Sequence, residues 1–233
     1  MANKRSKRYE AAAKLVDATK TYSLTEAVEL IKSLPKGKTD ETVDLAFRLG
    51  VDPKQSDQMV RGTVALPHGS GKNVRVLVFA KGAAAEAAKE AGADIVGFEE
   101  LVKKVAEGFQ DFDVAVATPD AMGEVRKLGK VLGPRGLMPN PRTGTVTDDT
   151  AKAVRECKAG RIEFKLDKSG NVHSIVGKSS FTPEQLEANG KAVIDAVAKA
   201  RPSSAKGRYI QRATLATTFS PGITVDITPF LRG

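Results

Sequence analysis

Between Thr42 and Leu49 the chain places Val43, Leu45, Phe47 and Leu49 on one side, with Thr42, Asp44 and Arg48 on the other. Successive side chains of a strand point to opposite faces, so this pattern predicts a strand with one face buried and one face in water. A second strand is expected from Met59 to Leu66. The same half-polar style returns far downstream in Arg161–Leu166, Asn171–Val176, Tyr209–Phe219 and Ile223–Ile227. The segment Asp167-Lys168-Ser169-Gly170 reads as a hairpin turn between the first two, with glycine where a positive φ is needed.

The middle of the chain is of another kind. Val74–Phe79 is a nearly continuous apolar strand, Gly82–Ala91 an alanine-rich helix, and Ile95-Val96 a short strand. A helix over Glu99–Glu107, a strand over Val114–Ala117 and a helix from Pro119 follow. Strand and helix alternating over short connections predict βαβ units around a parallel sheet. One style interrupted by the other predicts an insertion. The expected fold is therefore α/β: a discontinuous α+β domain with a largely antiparallel sheet (1–67 and 160–233), interrupted by a Rossmann-like parallel domain (68–159). Residues 68–159 hold 14 Lys+Arg against 13 Asp+Glu, net +1, so +8 of the chain's +9 falls on the discontinuous part.

The flanking helices announce themselves by their caps. A basic helix is expected over Lys7–Val16. Ser23 and Glu26 form an S-x-x-E capping box ahead of Leu24, Ala27, Val28 and Ile31, which share one helical face. Asp148 or Asp149 caps a helix ending at Ala159-Gly160, and Thr182, Pro183 and Gln185 open another that ends before Pro202. Leu132–Thr145 (LGPRGLMPNPRTGT) holds three prolines and three glycines, and no acidic residue occurs between Glu124 and Asp148. That composition predicts a shaped, basic loop carrying Lys130, Arg135 and Arg142, anchored by Leu132, Leu137 and Met138.

Enzyme readings fail on spacing. Gly69-Ser70-Gly71 starts a dinucleotide fingerprint, but Val74 stands where its third glycine belongs. Gly71-Lys72 and Gly177-Lys178-Ser179 lack the first glycine of a phosphate loop, having Leu66 and Val172 there. A nucleotide-binding α/β enzyme is thus the disfavoured alternative. His68 and His173 are far apart and have no ligand cluster beside them, and Cys157 reads as a structural thiol. No catalytic residue, metal or cofactor is expected. A single cysteine excludes an intrachain disulfide and points to a reducing compartment. No apolar run reaches the ~18 residues of a spanning helix. The expectation is a soluble cytoplasmic protein with no membrane partner.

A pI near 9.6 favours a polyanion as partner. The polar strand faces offer Lys38, Thr42, Arg48, Arg161, Lys165, Arg208, Arg212, Thr214 and Thr218. Lysine and arginine neutralise phosphates, and hydroxyls bond the 2′-OH and base edges of RNA. With 5% aromatics and no tryptophan, a stacking platform is not expected, so recognition should run through the shape and backbone of a folded RNA.

Leu132–Pro141, preceded by Leu128-Gly129 and followed by Gly144-Thr145, resembles the signature of the bacterial large-subunit ribosomal protein L-one family. Asp40–Asp44, Arg61–Val64, Leu66–Gly69, Ala159–Phe164 and Gly177-Lys178 extend the resemblance along nearly the whole chain. It implies a monomer within the ribosome that binds a stalk of large-subunit rRNA through the split domain, a mobile stalk that moves with exit-site tRNA. It also implies translational repression through the protein's own operon mRNA. Carried over by motif, the RNA contacts fall on Lys38, Thr42, Asp167, Ser169, Lys178, Arg212, Thr217, Thr218 and Phe219, with Lys130, Arg135 and Arg142 facing tRNA. The chain departs from the family pattern at Thr39, where phenylalanine is common. It departs again at Thr218-Phe219-Ser220-Pro221, where threonine-methionine-glycine-proline is common.

Overall fold

The computed structural model describes residues 5–230. In chain order it runs α1 (Lys7–Leu15), α2 (Leu24–Ser33), β1 (Thr42–Leu49), β2 (Arg61–Ala65), β3 (Val76–Phe79), α3 (Gly82–Glu90), β4 (Ile95–Gly97) and α4 (Glu99–Ala106). There follow β5 (Val114–Ala117), the one-turn helices α5 (Met122–Val125) and α6 (Gly129–Leu132), and α7 (Thr150–Lys158). The chain ends with β6 (Arg161–Lys165), β7 (Asn171–Lys178), α8 (Pro183–Lys199), β8 (Ile210–Thr217) and β9 (Ile223–Val225). Contacts divide the chain into two compact units: the described residues up to Gly71 together with those from Ile162 on, and Lys72–Arg161. These divisions fall slightly beyond Pro67/His68 and Ala159/Gly160. On them Arg161 joins the inner unit, which then carries +2 and leaves +7 to the outer one.

The outer unit is built on an antiparallel sheet of order β7-β1-β8-β9. One face is dry. Val43, Leu45, Phe47 and Leu49 of β1 share a core with Val172, Val176, Ile210, Leu215 and Ile223. Leu24, Ala27, Val28 and Ile31 of α2 and Leu186, Val193, Ile194 and Val197 of α8 close over them. Both expected capping boxes form: Ser23 Oγ accepts from the Glu26 amide at 3.2 Å, and Glu26 Oε2 accepts from the Ser23 amide at 2.9 Å. Thr182 and Gln185 do the same for α8. Asn189 of α8 is a fully buried polar residue beside this core. It accepts from the His68 amide at 3.1 Å and donates to the carbonyls of Gly69 and Val176 at 3.0 and 2.7 Å. The Gly69–Gly71 turn is thereby stitched to the outer unit.

The hairpin expected over Asp167–Gly170 forms only in part. The turn is there, with Gly170 at φ 81° and the Asp167 amide donating to the Asn171 carbonyl at 2.8 Å. Beyond one bridge, Leu166 to Val172, the strands part: β7 pairs with β1, and β6 forms a separate two-stranded sheet with β2. Burial explains the divergence, because Val60, Phe164 and Leu166 are drawn into the same core. The Leu166 amide donates to the Val60 carbonyl at 2.8 Å. Since Val60 precedes β2 and Leu166 follows β6, the end of β2 lies beside the start of β6.

The inner unit has a parallel sheet of order β4-β3-β5 with β3 wholly buried at its centre. Leu77 and Phe79 face a cluster with Leu101, Val105, Val125, Leu128 and Leu132. Val76 and Val78 face Ala88, Ala153, Val154 and Cys157, so helices cover both sides. Asp149 caps α7, its carboxylate accepting from the Lys152 amide at 3.0 Å. The helix expected from Pro119 is broken into α5, a turn of 3₁₀ helix over Arg126–Leu128, and α6, so Lys130 sits on a helix rather than in the loop. The loop itself is ordered. Leu137 and Met138 pack on the core, and the Asn140 amide donates to Thr145 Oγ1 at 2.8 Å.

Candidate nucleic-acid interface

The wet face of the four-stranded sheet is set by register and corrected by two bulges. Along β7, Val172, Ser174 and Val176 point inward, and His173 and Ile175 point outward. Val43 then pairs with Gly177 while Asp44 pairs with Ile175, so Val176 is an extra residue. That one residue turns Gly177 inward, where an added Cβ would come within 2.8 Å of the Phe181 ring, and turns Lys178 outward beside Thr42. On β8 the register sets Arg212 opposite Arg48, and a second bulge just beyond makes Gln211 the extra residue and brings buried Ile210 opposite Leu49.

Three of the expected residues meet at one end of this face. Lys178 Nζ donates to Thr42 Oγ1 at 3.0 Å, and the Thr42 amide donates to Thr218 Oγ1 at 3.3 Å. Thr218 and Phe219 are exposed in the turn after β8, and exposed Lys38 lies in the loop before β1. Asp40 braces this end: it accepts from the Ser179 and Ser180 hydroxyls at 2.8 and 2.9 Å, and the Ser179 bond foremost holds its carboxyl below the usual aspartate range. Beneath it Lys32 Nζ donates to the carbonyls of Ser179 and Phe181, its pKa lowered mainly by burial.

Asp167, Ser169 and Arg212 gather at the opposite end, six residues along β1, or about 20 Å away. There Asp167 caps its own turn, accepting from the amides of Ser169 and Asn171 at 2.8 and 2.7 Å. The Asn171 amide is the chief reason its carboxyl titrates below the usual range. Arg48 donates to the Ser169 carbonyl, and Arg212 Nη2 donates to Thr224 Oγ1 at 2.8 Å. Between the two ends lie Asp44, Ala46, His173, Ile175, Thr214 and Ala216. Burial pushes the Asp44 carboxyl up, against the pull of His173 and Lys178. The face thus carries its cations at its ends and one carboxyl, Asp44, between them.

Thr217 is differently placed. Its hydroxyl points down to donate to Glu41 Oε2 at 2.6 Å. Glu41, 8% exposed, also accepts from the Phe219 amide at 3.3 Å and pairs with Arg8 at 3.4 Å. It thereby shapes the turn that presents Thr218 and Phe219. The missing glycine in that turn is accommodated: no non-glycine residue among those described has a positive φ, and Ser220 Oγ accepts from the Thr217 amide at 2.8 Å. Glu41 and Arg8 were not singled out in the sequence, because a buried carboxylate just before a strand looks like any other strand-flanking acid. Arg161 pairs with Glu156 at 2.5 Å, and Lys165 stands on the two-stranded sheet, so neither belongs to this face. Lys130, Arg135 and Arg142 of the inner unit are exposed.

Among the described residues no three His, Cys, Asp or Glu side chains gather as a metal site, and no helix is long and apolar enough to cross a membrane. Cys157 is buried, and burial raises its thiol pKa. The fold and this face define a discontinuous α/β protein that presents a polar, cation-ended sheet surface. A model of the ribosomal protein L1p/L10e family matches residues 30–221. The large ribosomal subunit protein uL1 of Clavibacter sepedonicus is 60% identical over 223 residues, covering 96% of this chain and 98% of that one. Those of Clavibacter michiganensis and Pseudarthrobacter chlorophenolicus are 59% and 60% identical, each over 96% of this chain and over 98% and 95% of their own. The chain belongs to the ribosomal protein L1p/L10e family. Membership makes it a structural ribosomal protein and not an enzyme.

Proposed function

We propose that the protein is a structural component of the large ribosomal subunit that binds rRNA through the wet face of the outer unit's sheet, and so builds a mobile side stalk. One observation carries this reading: Lys178, Thr42 and Thr218 are hydrogen-bonded into one row, with Thr218 exposed and the other two half-buried. Lys38 and Phe219 flank that row, and Arg48, Arg212, Asp167 and Ser169 stand about 20 Å further along the strands. Two ends bearing cations, with none between them, suit a folded RNA held at its backbone in two places. Exit-site tRNA is the proposed partner of Lys130, Arg135 and Arg142 on the inner unit. Repression through the protein's own operon mRNA uses the same sheet face and differs only in target. The outer unit is the proposed RNA-binding domain and the inner unit an insertion within it.

Salt dependence and a matched pair of substitutions test the assignment. If ~6–10 phosphates are neutralised, raising salt from about 50 to about 200 mM lowers the rRNA binding constant ~10³–10⁵-fold. Thr218→Val keeps shape but removes a hydroxyl, leaving an RNA group unpaired at ~1–3 kcal/mol, whereas Thr147→Val on the inner unit has little effect on binding. Salt-independent binding, or equal losses at the two threonines, would place the interface elsewhere.

A further inference from the structure

One exposed ring bears on the expectation that the chain offers no platform for stacking. Phe219 is 52% exposed, and Arg8 of α1 holds its guanidinium 5.0 Å from the ring centroid. Just ahead of that helix, the Arg5 guanidinium lies 4.8 Å from the ring centroid of Tyr9 on α1. These two arginine–aromatic pairs line one groove, with Thr218 and Ser220 completing its wall and no acidic residue in its lining. Glu41 lies outside that lining and is occupied with Thr217, the Phe219 amide and Arg8.

A base offers a π-face and its phosphate a negative charge, and a groove of flat rings and guanidinium groups without carboxylates matches both. A peptide helix or an apolar partner would find little here, since the rings are already half covered by cations. The groove is also continuous with the RNA row, because Thr218 belongs to both. We infer that the groove between α1 and the Thr218–Ser220 turn binds one unpaired nucleotide next to the stem held by the sheet, with its base against Phe219 and its phosphate on Arg5. This rests on the RNA-binding reading above and adds a single-stranded contact to it. Arg8 is a positioning residue: bonded to Glu41 and lying over the ring, it fixes the attitude of Phe219.

The test uses the full chain and the RNA fragment that copurifies with it, with each unpaired nucleotide replaced in turn by an abasic one. Phe219→Leu keeps apolar bulk without a ring, and Arg5→Gln keeps reach without charge. Each is expected to weaken binding about tenfold. At one position the abasic RNA should bind the unaltered chain and Phe219→Leu alike, because the lost base and the lost ring are the same contact, while Arg5→Gln still binds it more weakly, because an abasic nucleotide keeps its phosphate. 2-Aminopurine at that position should change fluorescence on binding the unaltered chain, and change less on binding Phe219→Leu. Full affinity in both variants, together with a loss in Thr218→Val, overturns the groove and leaves the sheet interface standing. Failure of the unaltered chain to bind any RNA overturns both. Circular dichroism of the variants separates loss of contact from loss of fold.

Discussion

Thr217 and Thr218 are neighbours with opposite duties, and sequence alone could not separate them. Both match the family pattern, and on a regular strand one of each pair must face inward. Thr217 bonds a nearly buried carboxylate at 2.6 Å, whereas Thr218 is exposed. Thr217→Val would leave Glu41 short of a donor where water is scarce, so we expect a loss of ~1–2 kcal/mol in stability, read from the midpoint of urea unfolding. Thr218→Val gives up only an exposed bond from the Thr42 amide, so it should move that midpoint less than Thr217→Val does and lower RNA affinity. An unchanged midpoint for Thr217→Val, with RNA binding lost, would return Thr217 to the surface.

The elements were legible wherever pattern and cap agreed. β1 runs from Thr42 to Leu49 as its alternation prescribes, and Ser23 and Thr182 start α2 and α8 through their capping boxes. The pairing of β6 was not legible, because Asp167–Gly170 carries every local sign of a hairpin, and only the packing of Phe164 and Leu166 with Val60 in the shared core decides against it. The bulge at Val176 was equally silent, since a strand read at period two gives no sign of an extra residue. Asn189, mid-helix, gave no warning of its three bonds. Asn189→Ala should cost ~2–4 kcal/mol by removing the partner of the buried Val176 carbonyl and of the part-buried Gly69 carbonyl and His68 amide, measurable by urea unfolding. The turns carry a pH signature as well. Asp40 and Asp167 titrate below the usual aspartate range when folded, so their contribution is complete above the unfolded value near pH ~4 and is lost as pH falls through the folded one. Thermal unfolding should therefore decline below about pH 4, less steeply in Asp167→Asn, which keeps an acceptor oxygen but cannot titrate. An identical acid limb in that variant would remove Asp167 from the explanation.

At the scale of the molecule, the outer unit is made of two stretches of chain joined through neighbouring strands, β2 and β6. Replacing residues 72–160 with a short glycine-serine linker should leave a folded protein, because the cut spares the Asn189-held turn and both of these strands. That remnant should keep most of the rRNA affinity, and the excised inner unit should bind weakly; the comparison is made at one salt concentration. Affinity residing in the inner unit would reverse the assignment.

The same topology sets a timetable for synthesis. β1 is made early, yet both strands that flank it, β7 and β8, lie beyond the inner unit in the chain. While it emerges, β1 has no neighbour to pair with, and the inner unit, continuous in sequence, can complete its sheet first. The row of Lys178, Thr42 and Thr218 is assembled from three distant parts of the message and exists only after β8 has been translated. On the function proposed above, a half-made copy therefore has no finished RNA site.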